Sequence, residues 1–311
     1  MRREKPAWSW NVSDLVEPGP VKLRTAGQRA YFMRPVAMLL LAAAASCAIA
    51  EERTFDRTLT VSGPVNLDVV TDAGGIVVTH GGAGSVHVHG ILKTMNGWLA
   101  GNAAEHIRKL AENPPVQQTG NSIRAGYVTD KSLLRGVSLR FEITVPPETE
   151  VRAHADSGGI RVEGVKGPVE CKTDSGGIHI SEIGSDVRAQ ADSGGIHIRD
   201  VKGMVHAKAD SGGIEALEIA GSVDAQTDSG GIQVSQTTAA PVKARADSGG
   251  ATVRLAPAGG YDIKASCDSG RITVPEMASK GPIDRHHAEG RIRGGGSLVD
   301  ISVNSGNIHI E

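Results

Sequence analysis

The chain has 311 residues, of which 40 are glycine and only 3% are aromatic. Hydrophobic residues make up 39% and charged residues 22%, a balance typical of a folded chain rather than a disordered one. Residues 1–50 carry seven of the Lys and Arg residues and three of the Asp and Glu residues, so the rest of the chain has 26 basic and 32 acidic side chains. This acidic excess argues against nucleic acid or an anionic membrane surface as the main partner.

Residues 33–50 have the pattern of a secretory signal peptide. Met33-Arg34 supplies a charged start, a short apolar run follows, and Ala48-Ile49-Ala50 is a small-residue cleavage signal. The apolar run is too short to span a bilayer comfortably. We therefore expect export to the periplasm or cell surface, with cleavage between Ala50 and Glu51.

Two features of the N-terminal extension leave alternatives open. Residues 1–32 are polar and match no signal, so either Met33 is the true start or the signal has a long charged region. Ala44-Ala45-Ser46-Cys47 is similar to a lipoprotein cleavage motif without its usual leading Leu. A lipid anchor at Cys47 is therefore the alternative to ordinary cleavage.

The dominant pattern is the sequence Asp-Ser-Gly-Gly-Ile, repeated at a spacing of 18 residues. Such a strict short period indicates one structural unit stacked many times rather than a compact domain built around a single site. Full copies begin at Asp156, Asp174, Asp192, Asp210 and Asp228. Weaker copies begin at Asp247, Asp268, Ala288 and Asn304, with an outlier at Asp72.

Between these copies, apolar and polar residues alternate, as in Ile178-His179-Ile180. Alternation with a period of two indicates strands with one buried face. The apolar slots recur from unit to unit: Ile160, Ile178, Ile196, Ile214 and Ile232 share one, and Val169, Val187, Val205, Val223 and Val242 share another. We expect an all-β, β-helix-like solenoid of about 18-residue rungs over residues 151–311, with two to three short strands per turn.

The Asp-Ser-Gly-Gly segments are predicted to be the corners of the solenoid. Asp can accept a hydrogen bond from the amide two residues on, which forms an Asx-turn. Gly adopts positive φ and lets neighbouring rungs approach closely. The predicted turn residues are Asp156, Gly158, Gly159, Asp174, Gly176, Gly177, Asp192, Gly194, Gly195, Asp210, Gly212, Gly213, Asp228, Gly230 and Gly231.

Residues 51–150 are less regular and combine strand-like segments with one helix. The apolar residues Trp98, Leu99, Ala103, Ile107 and Leu110 recur at helical spacing, which predicts a helix over about residues 97–113, before Pro114-Pro115. We expect this helix to cover an open end of the solenoid or to flank its first turns. Cys171 and Cys267 would lie about five rungs apart, which excludes a disulfide between them.

Several segments carry a family resemblance. They are the strand ending in Val145-Pro146 and the units Gly159-Ile160-Arg161-Val162 and Gly167-Pro168-Val169-Glu170-Cys171. Over about residues 55–310 the chain resembles the bacterial putative-adhesin family of β-strand repeats, of the DUF4097 type. The resemblance implies a right-handed β-helix-like solenoid that is exported or membrane-associated, and it carries no catalytic residues or cofactor.

Two sets of side chains are candidate metal ligands, each with a plainer alternative. The Asp column (Asp156, Asp174, Asp192, Asp210 and Asp228) could bind calcium, although the repeat lacks the residue order of calcium-binding β-rolls, and structural turns are favoured. His179 and His197 occupy the same outward slot in consecutive rungs and could hold a transition metal with a third ligand. Solvated surface histidines are favoured, because no closed set of three or four ligands has metal-site spacing.

The favoured function is a non-catalytic solenoid that presents an extended surface to an envelope protein or surface ligand. One alternative is a self-assembling scaffold, because residues 298–310 are predicted to form an uncapped C-terminal rung with unpaired backbone groups. A polysaccharide-processing enzyme is disfavoured, because the rungs are short and the repeats contain only Tyr261 as an aromatic residue. The irregular segments 257–262 and 276–291 are the places where such a site could lie.

Overall fold

The computed structural model describes residues 51–95, 102–275 and 284–311, together with the backbone of Ala278–Ser279. The segment predicted to be a signal peptide, with Cys47 and Ala50, lies outside the described residues, so the predictions made for it stay predictions. The described residues belong to one compact unit. Within the described part, no helix is both long and apolar enough to cross a bilayer.

The described chain is built almost entirely of short strands. The N-terminal strands are β1 (Glu52–Thr60), β2 (Val65–Ala73), β3 (Ile76–His80), β4 (Ser85–Thr94), β5 (Val116–Thr119), β6 (Ser122–Ala125) and β7 (Val137–Val145). The repeats contain β8 (Thr149–Ser157), β9 (Ile160–Glu163), β10 (Val169–Ser175), β11 (Ile178–Ile183), β12 (Val187–Ser193), β13 (Ile196–Val201), β14 (Val205–Ser211), β15 (Ile214–Ile219), β16 (Val223–Ser229), β17 (Ile232–Gln236), β18 (Val242–Ser248) and β19 (Ala251–Arg254). The C-terminal strands are β20 (Tyr261–Ser269), β21 (Ile272–Thr273), β22 (Ala278–Ser279), β23 (His287–Ile292), β24 (Ser297–Ser305) and β25 (Ile308–Ile310).

These strands form two sheets that share one core. Sheet A has 12 described strands in the spatial order β1, β4, β7, β3, β9, β11, β13, β15, β17, β19, β25, β21. Sheet B has 13 described strands in the order β22, β23, β20, β24, β18, β16, β14, β12, β10, β8, β2, β6, β5. Each rung gives one strand to each sheet, and the Asp-Ser-Gly-Gly corner joins them. The predicted β-solenoid is confirmed, with two strands per rung.

Parallel pairing places equivalent residues of successive rungs side by side. Val187 pairs with Val205 in sheet B, and Ile196 pairs with Ile214 in sheet A, so the 18-residue period is also the pairing register. The inward slots of sheet B hold Val and Ala, whereas those of sheet A hold mainly Ile, and both sets are almost fully buried. Small residues on one sheet therefore face large ones on the other, and the rungs share a continuous narrow core.

The N-terminal part joins the same two sheets. The outlier copy at Asp72 is a true corner, because β2 and β3 flank it and pair with β8 and β9. The predicted helix is confirmed as α1 (Ala103–Glu112), while Trp98 and Leu99 lie outside the described residues. Its buried residues Ala103, Ile107 and Leu110 face β1, β4 and β7, so the helix flanks the N-terminal end of sheet A.

The predicted C-terminal end of the stack is wrong. β24 lies between β18 and β20, and β25 lies between β19 and β21, so the last rung in sequence is inserted inside the stack. Ile308, expected on an uncapped edge, is fully buried and pairs with both Ala251 and Ile272. The self-assembly alternative assumed unpaired backbone groups on the C-terminal rung. This rung is paired on both sides, so that assumption is wrong.

A glycine-rich crossing makes the insertion possible. β23 pairs antiparallel with the outer side of β20, and the chain then crosses the start of β20 to enter on its other side as β24. Gly294, Gly295 and Gly296 form the crossing with φ of +87°, +88° and +154°. A Cβ on Gly260 would overlap the Gly295 carbonyl, so the close approach of the crossing segment requires glycine at position 260. The weak repeat copy at Ala288 forms no corner, because it lies within strand β23, between β22 and β20.

The second corner of the solenoid contains a column of strained acidic residues. Glu182, Asp200 and Glu218 occupy equivalent positions in successive rungs and have φ of +58°, +49° and +59°. The equivalent residue of the preceding rung is Gly164, with φ +75°. A non-glycine residue in this region costs about 1–2 kcal/mol, because its Cβ approaches the following carbonyl oxygen.

Replacing Glu182 with Gly is therefore expected to stabilise the protein. Relief of the strain exceeds the added entropy of the unfolded chain, so we expect a net gain of about 0.5–1 kcal/mol in the free energy of unfolding. Urea denaturation measures the change. Ser181→Gly is the matched control, since Ser181 lies in β11 and its replacement by Gly only adds entropy to the unfolded state. A lower unfolding midpoint for Glu182→Gly would show that its backbone is not strained.

Candidate binding surfaces

The two glycines of each corner have different roles. The first glycine lies in the left-handed region, and Gly230, for example, has φ +145°. A Cβ on Gly230 would come within 3.0 Å of the Gly212 carbonyl in the preceding rung. The same contact recurs along one column, which comprises Gly74, Gly158, Gly176, Gly194, Gly212, Gly230, Gly249, Gly270 and Gly306. Close stacking of the rungs therefore depends on the first glycine.

The second glycine is less constrained than the first, and at Gly231 a side chain would fit. A Cβ on Gly231 would lie 3.5 Å from the Gly250 carbonyl oxygen, an ordinary van der Waals distance. The chain itself places Arg271 and Asn307 at this slot, and the Arg271 amide donates to Asn307 Oδ1 at 3.0 Å. The second glycines therefore leave a strip of the surface without side chains, and the stacking of the rungs depends on them less than on the first glycines.

The Asx-turn hydrogen bond predicted at the corners is wrong. Its donor for Asp174 would be the Gly176 amide, but that amide donates to the Ser193 carbonyl of the next rung at 2.8 Å. The backbone hydrogen bonds between rungs therefore use the amide that would donate to the carboxylate. The Asp and Gly residues still form the corners, but the Asp side chains are left to outward partners.

Three of the Asp side chains have such a partner on the outer face of sheet B. His154 Nε2 lies 3.1 Å from Asp156 Oδ1, and Lys208 Nζ lies 3.5 Å from Asp210 Oδ1. Asn304 of the inserted rung donates its side-chain amide to Asp247 at 3.1 Å. Across the described residues, no group of three or more His, Cys, Asp or Glu side chains is arranged to hold a metal ion.

The predicted histidine pair lies on the outer face of sheet A. His179 and His197 are register partners on β11 and β13, and their rings stack with centroids 4.9 Å apart. His197 Nδ1 lies 2.8 Å from Glu215 Oε2, and Arg161 is the register partner of His179 on its other side. Partial burial, His197 and Arg161 together lower the pKa of His179. The column therefore changes from basic to acidic along four rungs.

This arrangement predicts a pH dependence of stability. Because the pKa of His179 is lower in the folded state than in the unfolded state, the unfolded chain binds more protons, and stability falls as the pH decreases through the ordinary His range. A His179→Gln variant removes this effect. Thermal unfolding at pH 7.5 and at pH 5 should show a smaller drop in Tm for the variant than for the native chain. An equal drop would mean that His179 does not contribute to the pH dependence.

A groove crosses sheet A where the second glycines carry no side chains. It has a volume of about 540 Å³ and runs across the rungs, perpendicular to the strands. Its lining includes His197, Glu215, Gln233 and Thr252, which are register partners on β13, β15, β17 and β19. Basic, acidic, amide and hydroxyl groups thus follow one another at the strand spacing of about 4.8 Å.

Sheet B instead carries a ladder of nearly alternating charge, which the sequence analysis missed. Neighbours in the ladder are register partners, in the order Arg124, Asp68, Arg152, Glu170, Arg188, His206, Asp224, Lys243, Asp300, Lys264 and Glu289. Opposite charges on adjacent strands stabilise their pairing. Asp300 of the inserted rung separates Lys243 from Lys264, which would face each other if the rungs followed sequence order. The ladder therefore favours the observed order.

The remaining cysteines and histidines lie in separate places. Cys171 and Cys267 are both free and buried, and burial raises the pKa of each thiol. The Cys267 sulfur lies 3.8 Å from Nδ1 of His286, a contact without a sequence signal. His87 and His89 instead contact β1, where His89 Nδ1 lies 2.8 Å from Asp56.

Two solved structures and one family model match the chain. A putative adhesin from Bacteroides fragilis is similar at 16% identity and a TM-score of 0.48, with 83% of this chain and 97% of that chain covered. A putative cell adhesion protein from Clostridium sporogenes is similar at 13% identity and a TM-score of 0.24, with coverage of 83% and 99%. No curated protein matches the chain significantly by sequence. The profile of the toastrack family DUF4097 matches residues 117–311, more than half of the chain, and the protein therefore belongs to that family.

Proposed function

We propose that the protein is an exported, non-catalytic solenoid whose sheet A face is a binding or adhesion surface at the bacterial cell envelope. The groove across sheet A supports this proposal most directly. It lies on a rigid frame of paired strands, and its side chains differ from rung to rung while the residues beneath them repeat. A ligand lying along the solenoid axis would meet a different chemical group at each rung.

The two faces of the solenoid differ in a way that favours sheet A. On sheet B most outward charges face an opposite charge on the next strand, so they satisfy one another. On sheet A the groove ends in Gln233 and Thr252, whose uncharged groups can accept and donate hydrogen bonds to a partner. Export and an envelope location follow from the signal-peptide pattern of residues 33–50.

Binding of purified residues 51–311 to intact bacteria and isolated envelopes tests the proposal. We expect saturable binding that is lost in the triple variant His197→Ala, Glu215→Ala, Gln233→Ala, because side chains at the centre of an interface dominate its affinity. The matched control replaces Lys172, Gln190 and Gln226, three outward residues of sheet B, with Ala. Absence of saturable binding, or equal loss in both triple variants, would contradict the assignment to sheet A.

A further inference from the structure

A second concave site lies at the N-terminal end of sheet B, apart from the groove on sheet A. Here the non-repeating segment 126–134 lies beside the outward residues of β2 and β8 and borders an open cavity of about 520 Å³. Pockets that bind small molecules have volumes of about 300–1,000 Å³. Its lining comprises Val70, Asp72, Gln117, Arg124, Gly126, Tyr127, Val128, Thr129, Lys131, Leu134, His154 and Asp156.

The wall of this cavity is held in place by its own backbone. The Gly126 amide donates to the Pro115 carbonyl at 2.8 Å, and a Cβ on Gly126 would overlap the Val70 carbonyl. Asp130 accepts from the Ser132 hydroxyl at 2.6 Å and from the Ser132 amide at 3.0 Å, which lowers the pKa of its carboxyl and caps the 3-10 helix Lys131–Leu134. The cavity is therefore preformed, which reduces the entropy that a ligand must overcome.

Tyr127 gives the cavity an aromatic surface. Among the described residues, it is the one aromatic side chain that is not buried. Its hydroxyl donates to Asp68 at 2.7 Å, and the Arg124 guanidinium lies 3.8 Å from the ring centroid. Desolvation raises the pKa of Tyr127, so the phenol stays neutral. Both contacts fix the ring against the cavity.

The polar groups of the cavity balance in charge. Asp72 and Asp156, on the neighbouring strands β2 and β8, supply two carboxylates, while Arg124 and Lys131 supply two cations. Asp156 is also paired with His154 at 3.1 Å. Gln117 adds both a donor and an acceptor. This balance of charge favours neither an anionic nor a cationic ligand. The same groups can both donate and accept hydrogen bonds.

We propose that this cavity binds a neutral saccharide unit. A sugar ring has hydroxyls around its rim and apolar C–H faces, and the lining has matching parts. Carboxylate, ammonium and amide groups can bond the hydroxyls, whereas Tyr127 and the side chains Val70, Val128 and Leu134 can pack on the C–H faces. An amine would meet Arg124 and Lys131, and a phosphate would meet the two aspartates, so both are disfavoured.

An NMR titration of 15N-labelled residues 51–311 tests the proposal. The probes are the methyl glycosides of glucose, galactose, mannose and N-acetylglucosamine, with methylammonium and inorganic phosphate as charged probes. We expect at least one glycoside to shift amides of 126–134 and of the β2 and β8 positions beside them. The shifts should saturate with a millimolar Kd, the affinity that a ligand of about twelve heavy atoms reaches at ordinary ligand efficiency.

Three variants test whether the lining residues bind the glycoside. Asp72→Asn and Tyr127→Leu should each weaken it about tenfold, because one removes a charged acceptor and the other the ring. Tyr127→Phe keeps the ring and its contact with Arg124 but loses the bond to Asp68, so it should weaken binding less than Tyr127→Leu does. The proposal is overturned if no glycoside shifts these amides, if a charged probe binds more tightly, or if Asp72→Asn and Tyr127→Leu bind normally.

The same titration separates this site from the proposed function. The His197, Glu215 and Gln233 triple variant should keep native glycoside binding, because its substitutions lie on the other sheet. Conversely, Asp72→Asn tests whether envelope binding requires the cavity. Failure of glycoside binding would leave the sheet A proposal standing, and failure of envelope binding would leave the saccharide site standing.

Discussion

A Gly230→Ala substitution is expected to lower the free energy of unfolding by about 3 kcal/mol or more. Two costs combine in this estimate. A side chain at φ +145° is strained, and the added Cβ would come within 3.0 Å of the Gly212 carbonyl, which is backbone and cannot rotate away. The rungs would have to separate locally, which weakens hydrogen bonds such as that from the Gly212 amide to the Ser229 carbonyl, now 2.8 Å long.

The neighbouring glycine provides a matched control. Gly231→Ala adds the same methyl group one residue later, where it would lie 3.5 Å from the Gly250 oxygen. The substitution restricts the unfolded chain, so we expect no loss and a gain of up to about 0.5 kcal/mol. Guanidinium denaturation followed by circular dichroism compares the two. Equal effects would show that glycine composition, rather than the stacking of the first glycine, determines stability at the corners.

Much of the fold could be predicted from the repeat. The repeat predicted the corners, the inward slots and the solenoid, because parallel stacking forces equivalent residues into the same environment. Of the two explanations for the corner residues, the role of glycine in close approach is confirmed and the Asx bond is wrong. Close approach of the rungs was assigned to both glycines and depends on the first one. The Asx bond of Asp174 does not form, because the Ser193 carbonyl accepts from the same amide.

The order of the rungs could not be predicted from the repeat alone. Every rung offers the same inward residues, so the hydrophobic pattern is satisfied whichever rung lies next to which. The outward residues contain the missing information, because Lys243 and Lys264 would meet in sequence order and Asp300 separates them. The cavity beside segment 126–134 has no such signal, since it depends on a loop that occurs once.

Deleting the inserted rung tests this order and should have the largest effect. A chain ending at Gly296 loses β24 and β25, which bury Val299, Ile301, Val303 and Ile308 almost completely. Burying each such side chain stabilises a protein by about 1.5–3 kcal/mol, so the lost contribution approaches the total stability of a typical domain. We expect β18 and β20 to lose protection against hydrogen exchange, while the rungs from β8 to β14 keep theirs.

The alternative order predicts a different result. If the last rung lay outside β20, its deletion would only shorten the stack, and the β18–β20 pairing would survive intact. In the observed order, those two strands can meet again only by moving one strand width, which places Lys243 opposite Lys264. Deleting Glu311 alone is the control, since it removes the ion pair with Arg254 but no buried side chain. Full protection of β18 and β20 in the shortened chain would show that the rungs stack in sequence order, and the C-terminal rung would again be a free edge on which another copy could assemble.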